Sequence, residues 1–299
     1  MTSGAPRQVL GRAFPFLRTV QEDYRDAIGP LRVPAGPSNA GTIGTAFDLR
    51  VHLQARIRPY LQLAMVGAEQ IGPHVMAAYE QVLDRLGPHE QTWNQPVPGP
   101  WTGPSTGLDE RDLLRLCWVS ACLVEVFRTG MVMDGSPLAS LPAAGPVDLL
   151  ALAADGTVDE LMDLTALARE RLLPRLQALA TAGPTWLGPT FRGSSLMRAD
   201  ADLVTGHTLI ELETGLGRKT PTGRKAALDG TTLFQLLGYV LHDHDDAHQI
   251  QAVALYQARY GHFAVWRLDR LLHELADQAV DLPALRQQWA TMLDAGKPA

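Results

Sequence analysis

The chain has 299 residues, 46% of them hydrophobic and 19% charged, enough to bury a full core in one large domain or two modest ones. Its formal net charge of -6 excludes a protein coated in positive charge for nucleic-acid binding, while leaving room for a local basic groove. Cys117 and Cys122 fall in one apolar helical run and read as buried free thiols; with no apolar leader and no membrane-spanning stretch, the expected compartment is the cytoplasm.

Residues 1–37 carry five prolines and read as an irregular arm with one short helix near 19–27. Ser38-Asn39 then cap a helix containing Gly44-Thr-Ala-Phe-Asp48 and, one turn on, His52. Residues 64–182 are expected to be mostly helical. Apolar positions of period 3.6 mark 68–86, 109–127 and 158–180, with Pro73 and Pro174 kinking or dividing the first and last. Pro-rich and Gly-rich loops at 87–107, with Trp93 and Trp101, and at 135–146 separate them. A strand follows at 185–192, then a hairpin in which Asp202 to Val204 turn at Gly206 into a return strand over 209–214. Residues 216–225 form a loop with four positive charges, Arg218, Lys219, Arg224 and Lys225, and no acid. Lys219 and Lys225 are two of only three lysines in the chain, the third being Lys297. A helix over 226–242, strands at 249–259 and 262–268, and helices at 269–276 and 282–293 complete the chain. The run His242-Asp-His244-Asp245-Asp246-Ala-His248 between helix and strand reads as a solvated turn.

The hairpin carries the chemistry. Glu211 and Glu213 are two apart on one strand and share a face, and the turn brings Asp202 beside Glu211. Three carboxylates on one face repel one another unless a cation sits between them, and a hard divalent ion such as Mg²⁺ takes oxygen ligands of this kind. Downstream, Gln235 and Tyr239 lie four apart on one helix face.

The ordered set Asp202, Glu211-x-Glu213 and Gln235-x-x-x-Tyr239 resembles the PD-(D/E)XK nuclease superfamily, in its RecB-type branch. The resemblance implies an α/β fold: a restriction-endonuclease-like mixed sheet flanked by helices, with a large helical insertion. It divides the chain into an N-terminal arm and first core helix (1–63), the insertion (64–182), and the core sheet with C-terminal helices (183–299). It implies Mg²⁺ or Mn²⁺ held by Asp202 and Glu211, joined by Asp48, which stands where the branch places a metal-facing His. Gln235 and Tyr239 would orient the DNA backbone or the metal ligands. The family's usual Lys is replaced by Glu213, so Glu213, Lys219 and Lys225 are the candidates for handling the attacking water. Arg192, Arg198, Arg218 and Arg224 would contact phosphates, and Arg259 would do likewise or pair with an acid. Two functions follow. One is a metal-dependent DNA nuclease of repair or phage defence. The other is a catalytically silent fold that binds DNA or holds a protein partner, for which the helical insertion offers a surface.

Overall fold

The computed structural model describes residues 4–55, 59–87, 94–97, 101, 107–221 and 223–295. The chain forms two compact units, one of Met1–Arg32, Asn94–Pro98 and Arg175–Ala299, the other of Val33–Trp93 and Gly99–Pro174. Most of the loop expected over 87–107, including Trp93, and the third lysine, Lys297, lie outside the described residues. The expected break at 63/64 falls within the second unit, which begins at Val33.

The first unit opens with α1 (Ala5–Ala13), where an irregular arm is expected, and with α2 (Arg18–Ala27), the short helix expected near 19–27. Pro6 sits in the first turn of α1, where its missing N–H is harmless. The other four prolines fall between helices. Leu10, Phe14, Val20, Tyr24 and Ile28 are buried in this unit's core, so the segment is structural and not a loose lead-in.

The second unit is helical: α3 (Ala40–His52), α4 (Gln62–Ile71), α5 (Pro73–Asp84), α6 (Glu110–Thr129) and α7 (Asp155–Arg171). Asn39 caps α3 through its side-chain oxygen, 2.8 Å from the Gly41 N–H. Pro73 starts a new helix, dividing the expected 68–86 segment. α6 is buried along nearly its whole length and forms the unit's centre, with Cys117 and Cys122 as free thiols that burial pushes up to about 12. The buried Arg50 of α3 donates two hydrogen bonds, of 2.9 and 2.8 Å, to Glu110 on α6. That paired fork fixes α3, and with it Asp48, inside the helical unit.

α8 (Leu173–Ala180) returns the chain to the first unit. There follow β1 (Thr185–Leu187), β2 (Leu203–Thr205), β3 (Thr208–Glu213), β4 (Arg218–Thr220), β5 (Gly223–Lys225), α9 (Gly230–His242), β6 (Ala252–Gln257), β7 (His262–Arg267), α10 (Leu268–Ala276) and α11 (Leu282–Ala295). The main sheet is mixed and five-stranded, in the order β1-β2-β3-β6-β7, with β3 and β6 parallel and every other pair antiparallel. Parallel neighbours need a crossover, and α9 supplies it. α1, α2, α9, α10 and α11 bury their apolar faces in the core that includes the sheet.

β2 and β3 meet through the two-residue turn Gly206-His207, with φ of 52° and 63°. Two positive φ values give the primed turn whose twist matches the flanking strands. A Cβ at Gly206 would run into the Leu179 carbonyl oxygen, so glycine is required there for space as well as conformation. Among the described residues, no helix is long and apolar enough to cross a membrane.

Candidate functional site

The register Leu203↔Ile210 brings the residues just beyond it, Asp202 and Glu211, face to face. The two are tied reciprocally. Glu211 Oε1 accepts from the Asp202 backbone N–H at 3.2 Å, and Asp202 Oδ2 accepts from the Leu212 N–H at 2.6 Å. α9 runs over this face. Gln235 Nε2 donates to Glu211 Oε2 at 2.8 Å and to the Tyr239 hydroxyl oxygen at 2.9 Å. The four residues Asp202, Glu211, Gln235 and Tyr239 therefore form one continuous hydrogen-bonded network.

Tyr239 is locked by stacking on Phe191, with ring centroids 5.9 Å apart, and His248 packs edge-on against the same Phe191. Burial, then the charge of Glu211, and further Asp202 and Asp200, push the Tyr239 phenol well above its ordinary value, although the Gln235 hydrogen bond works the other way. The phenol keeps its proton. Asp200 was not among the expected site residues, yet its spacing of two from Asp202 was a usable signal.

Glu213 departs from the expected crowd of three carboxylates. Glu213 lies two residues beyond Glu211 on the same face of β3. Among the described residues, no group of three or more His, Cys, Asp or Glu side chains is arranged to hold a metal ion. Instead Glu213 heads a polar row set by strand register: Glu213 pairs with Gln257, and Gln257 with His262. Register partners share a sheet face. Tyr24 of α2 packs edge-on against His262 at 5.2 Å, and its phenol is pushed up by burial and then by Glu213. Burial, followed by the nearby Asp229 carboxylate, raises the Glu213 carboxyl above the usual carboxylate range. Nothing in local spacing announced Tyr24, Gln257 or His262; only the pairing of strands distant in sequence brings them to Glu213.

Asp48 is not brought to this network by the first unit's elements: it belongs to the helical unit, where its Oδ1 lies 3.0 Å from His52 Nε2. The stretch expected as a basic loop is a two-stranded ribbon, β4–β5, with Arg218 opposite Lys225 and Lys219 opposite Arg224, all four exposed. Arg192 and Arg198 are also exposed, on and just after a short 3₁₀ turn. Arg259 is buried and donates to the Thr214 carbonyl at 2.6 Å, which makes it a strut between β3 and the end of β6.

The expected solvated turn after α9 is buried at its start. His242 and Asp243 have no exposed surface, and Arg286 of α11 lies over them. Arg286 donates to the Val240 carbonyl at 3.1 Å and to Asp246 at 2.7 Å, and its Nη2 lies 3.7 Å from Asp243 Oδ2. Polar composition alone hid this, because a buried charged network has the same residue types as a wet turn.

No family model, no curated protein and no solved structure matches this chain.

Proposed function

We propose that this chain is a divalent-metal-dependent nuclease that hydrolyses DNA phosphodiester bonds, with a site of the RecB-type PD-(D/E)XK kind. The observation that carries the reading is the convergence of Asp202, Glu211, Gln235 and Tyr239 into one network from three separate elements. The donor set fits Mg²⁺ or Mn²⁺. Both are hard ions satisfied by carboxylate oxygen, and Mg²⁺ commonly takes only one or two protein carboxylates, with water and substrate phosphate completing its shell. Asp202 and Glu211 would hold the ion, which when bound acidifies water and offsets charge growing on the phosphoryl group.

The chain's own groups then have distinct tasks. Gln235 fixes the rotamer of Glu211 by donating to one of its oxygens. The Tyr239 hydroxyl accepts from Gln235, leaving its own proton for a phosphate oxygen. Glu213, raised by burial, is a stronger base than an ordinary carboxylate and needs no loop movement to reach the same face as Glu211. The exposed ribbon cations offer phosphate contacts.

A silent binding module is the second reading. It is favoured by the fact that both Glu211 oxygens already accept protein hydrogen bonds. Incubation with plasmid and linear single-stranded DNA in Mg²⁺, Mn²⁺ or EDTA separates the two. Cleavage that needs metal and disappears in Asp202→Asn and Glu211→Gln is the expected result. Binding without cleavage in every metal would leave the silent module.

A further inference from the structure

Beside the ribbon lies a cleft of about 400 Å³ lined by Arg25 and Gln21 of α2, Arg218 and Lys225 of the ribbon, Leu228 and Asp229. It lies wholly within the first unit. Three cations against one carboxylate leave two positive charges in excess. Arg218 and Lys225 stand directly opposite each other across the ribbon, an arrangement of like charges that is unfavourable when nothing lies between them. Among the described residues, no carboxylate forms an ion pair with either of them or with Arg25. Glu22 of α2, whose carboxyl also feels the Arg25 charge, is hydrogen-bonded to Arg18 at 2.8 Å. Asp229 is committed as the cap of α9, its Oδ1 accepting from the Thr232 N–H at 2.9 Å.

We infer that this cleft binds the phosphate monoester of a nucleotide, either free or at the end of a DNA strand. A monoester carries a charge of about −1.5 to −2 near neutral pH, which matches the cleft's excess, whereas an internal phosphodiester carries only one charge. Two guanidiniums can grip its oxygens in forked pairs, and the ammonium adds a point charge. Gln21 offers a neutral polar contact, and Leu228 an apolar wall for sugar or base. The assignment of a nucleotide, rather than another phosphorylated molecule, rests on the nuclease reading. Asp229, which lines the cleft, is also one of the charges that raise the Glu213 carboxyl. A strand end seated there would make cutting end-directed.

The test is calorimetric titration in EDTA, where no cleavage interferes, with 2′-deoxyadenosine 5′-monophosphate against deoxyadenosine. The monophosphate is expected to bind and the nucleoside to bind at least about tenfold more weakly. Arg25→Gln and Lys225→Gln should each weaken the monophosphate about tenfold. Asp229→Asn, which keeps the helix cap but removes its charge, should tighten it. This opposite sign is one that a damaged fold does not produce. Asp202→Asn should leave the affinity unchanged, so loss of cleavage and loss of this cleft read out separately. Competition by a 5′-phosphorylated oligonucleotide, but not by its unphosphorylated form, assigns the strand end; competition by neither assigns the free nucleotide. Equal binding of monophosphate and nucleoside, or no binding of either, overturns the inference. So does unchanged affinity in Arg25→Gln and Lys225→Gln proteins that melt like the parent.

Discussion

Glu213 is where a single side chain sets competing demands. Its carboxyl is raised by burial and by Asp229, so folding disfavours its charged form. A carboxyl raised on folding stabilises the fold at pH below its ordinary value and withdraws that stability as pH rises through the raised one. Glu213→Gln is therefore expected to melt higher than the parent at neutral pH, with the difference closing on acidification below the ordinary carboxylate range. The same change should lower cleavage by about 10²- to 10⁴-fold if Glu213 is the base. Asp229→Asn should move the acidic limb of the pH–rate profile downward, because it removes one of the two causes of the shift while preserving the cap. A limb that stays in place in that variant would separate Glu213 from the chemistry. Loss of cleavage in Lys219→Ala, with Glu213→Gln near the parent, would hand the role to a lysine.

α9 is the element that joins the site to the core. Its middle turns carry Gln235 and Tyr239 over the hairpin, and its end is clamped by Arg286. Gln235→Ala removes the donor that holds Glu211, and Mn²⁺ affinity measured by titration should fall about 10- to 100-fold. At the far end, burial and then the nearby His244 lower His242 from 6.5 to about 4. An unfolded histidine accepts a proton near pH 6.5 while the folded one resists, so stability is full above that value and drains as pH falls through about 4. The change amounts to about 3 kcal/mol, readable as a falling urea midpoint that His242→Phe should flatten. Asp243→Ala removes one of the two carboxylates beside Arg286, leaving Asp246 at 2.7 Å, and should lower the urea midpoint in the same assay.

The same element shows what sequence makes legible. Its i, i+4 polar pair, the paired carboxylates of β3 and the glycine turn are local patterns, and each appears in the fold where spacing placed it. The burial of His242 and Asp243, the membership of α3 in the helical unit and the row Glu213–Gln257–His262 are products of packing between distant segments. The β4–β5 ribbon is illegible in the sequence for another reason. Its residues are polar on both faces, so no alternation marked it as strand.

For the molecule as a whole, the chain forms two compact units, and the catalytic candidates apart from Asp48 fall in the first. An overall charge of -6 opposes a polyanion at long range, so DNA affinity must come from a few local cations. The logarithmic dependence of affinity on salt should accordingly be shallow. Lys219→Ala and Arg224→Ala should each reduce its slope by about 0.7 on single-stranded DNA, measured by anisotropy in EDTA. An unchanged slope in both would remove the ribbon from the interface. The comparison belongs at several salt concentrations, since one alone cannot separate contact number from affinity.

The Gly206-His207 turn has a further consequence for how this chain can change over evolutionary time. Because strand side chains alternate, the length of that turn decides the parity of β2 relative to β3. One residue more would send Asp202 to the far side of the sheet while leaving its composition and strand length intact. Most surface loops absorb insertions freely, but this one behaves as a reading frame, in which any odd change erases the meaning of everything upstream. The Leu179 carbonyl pressed against Gly206 guards that frame.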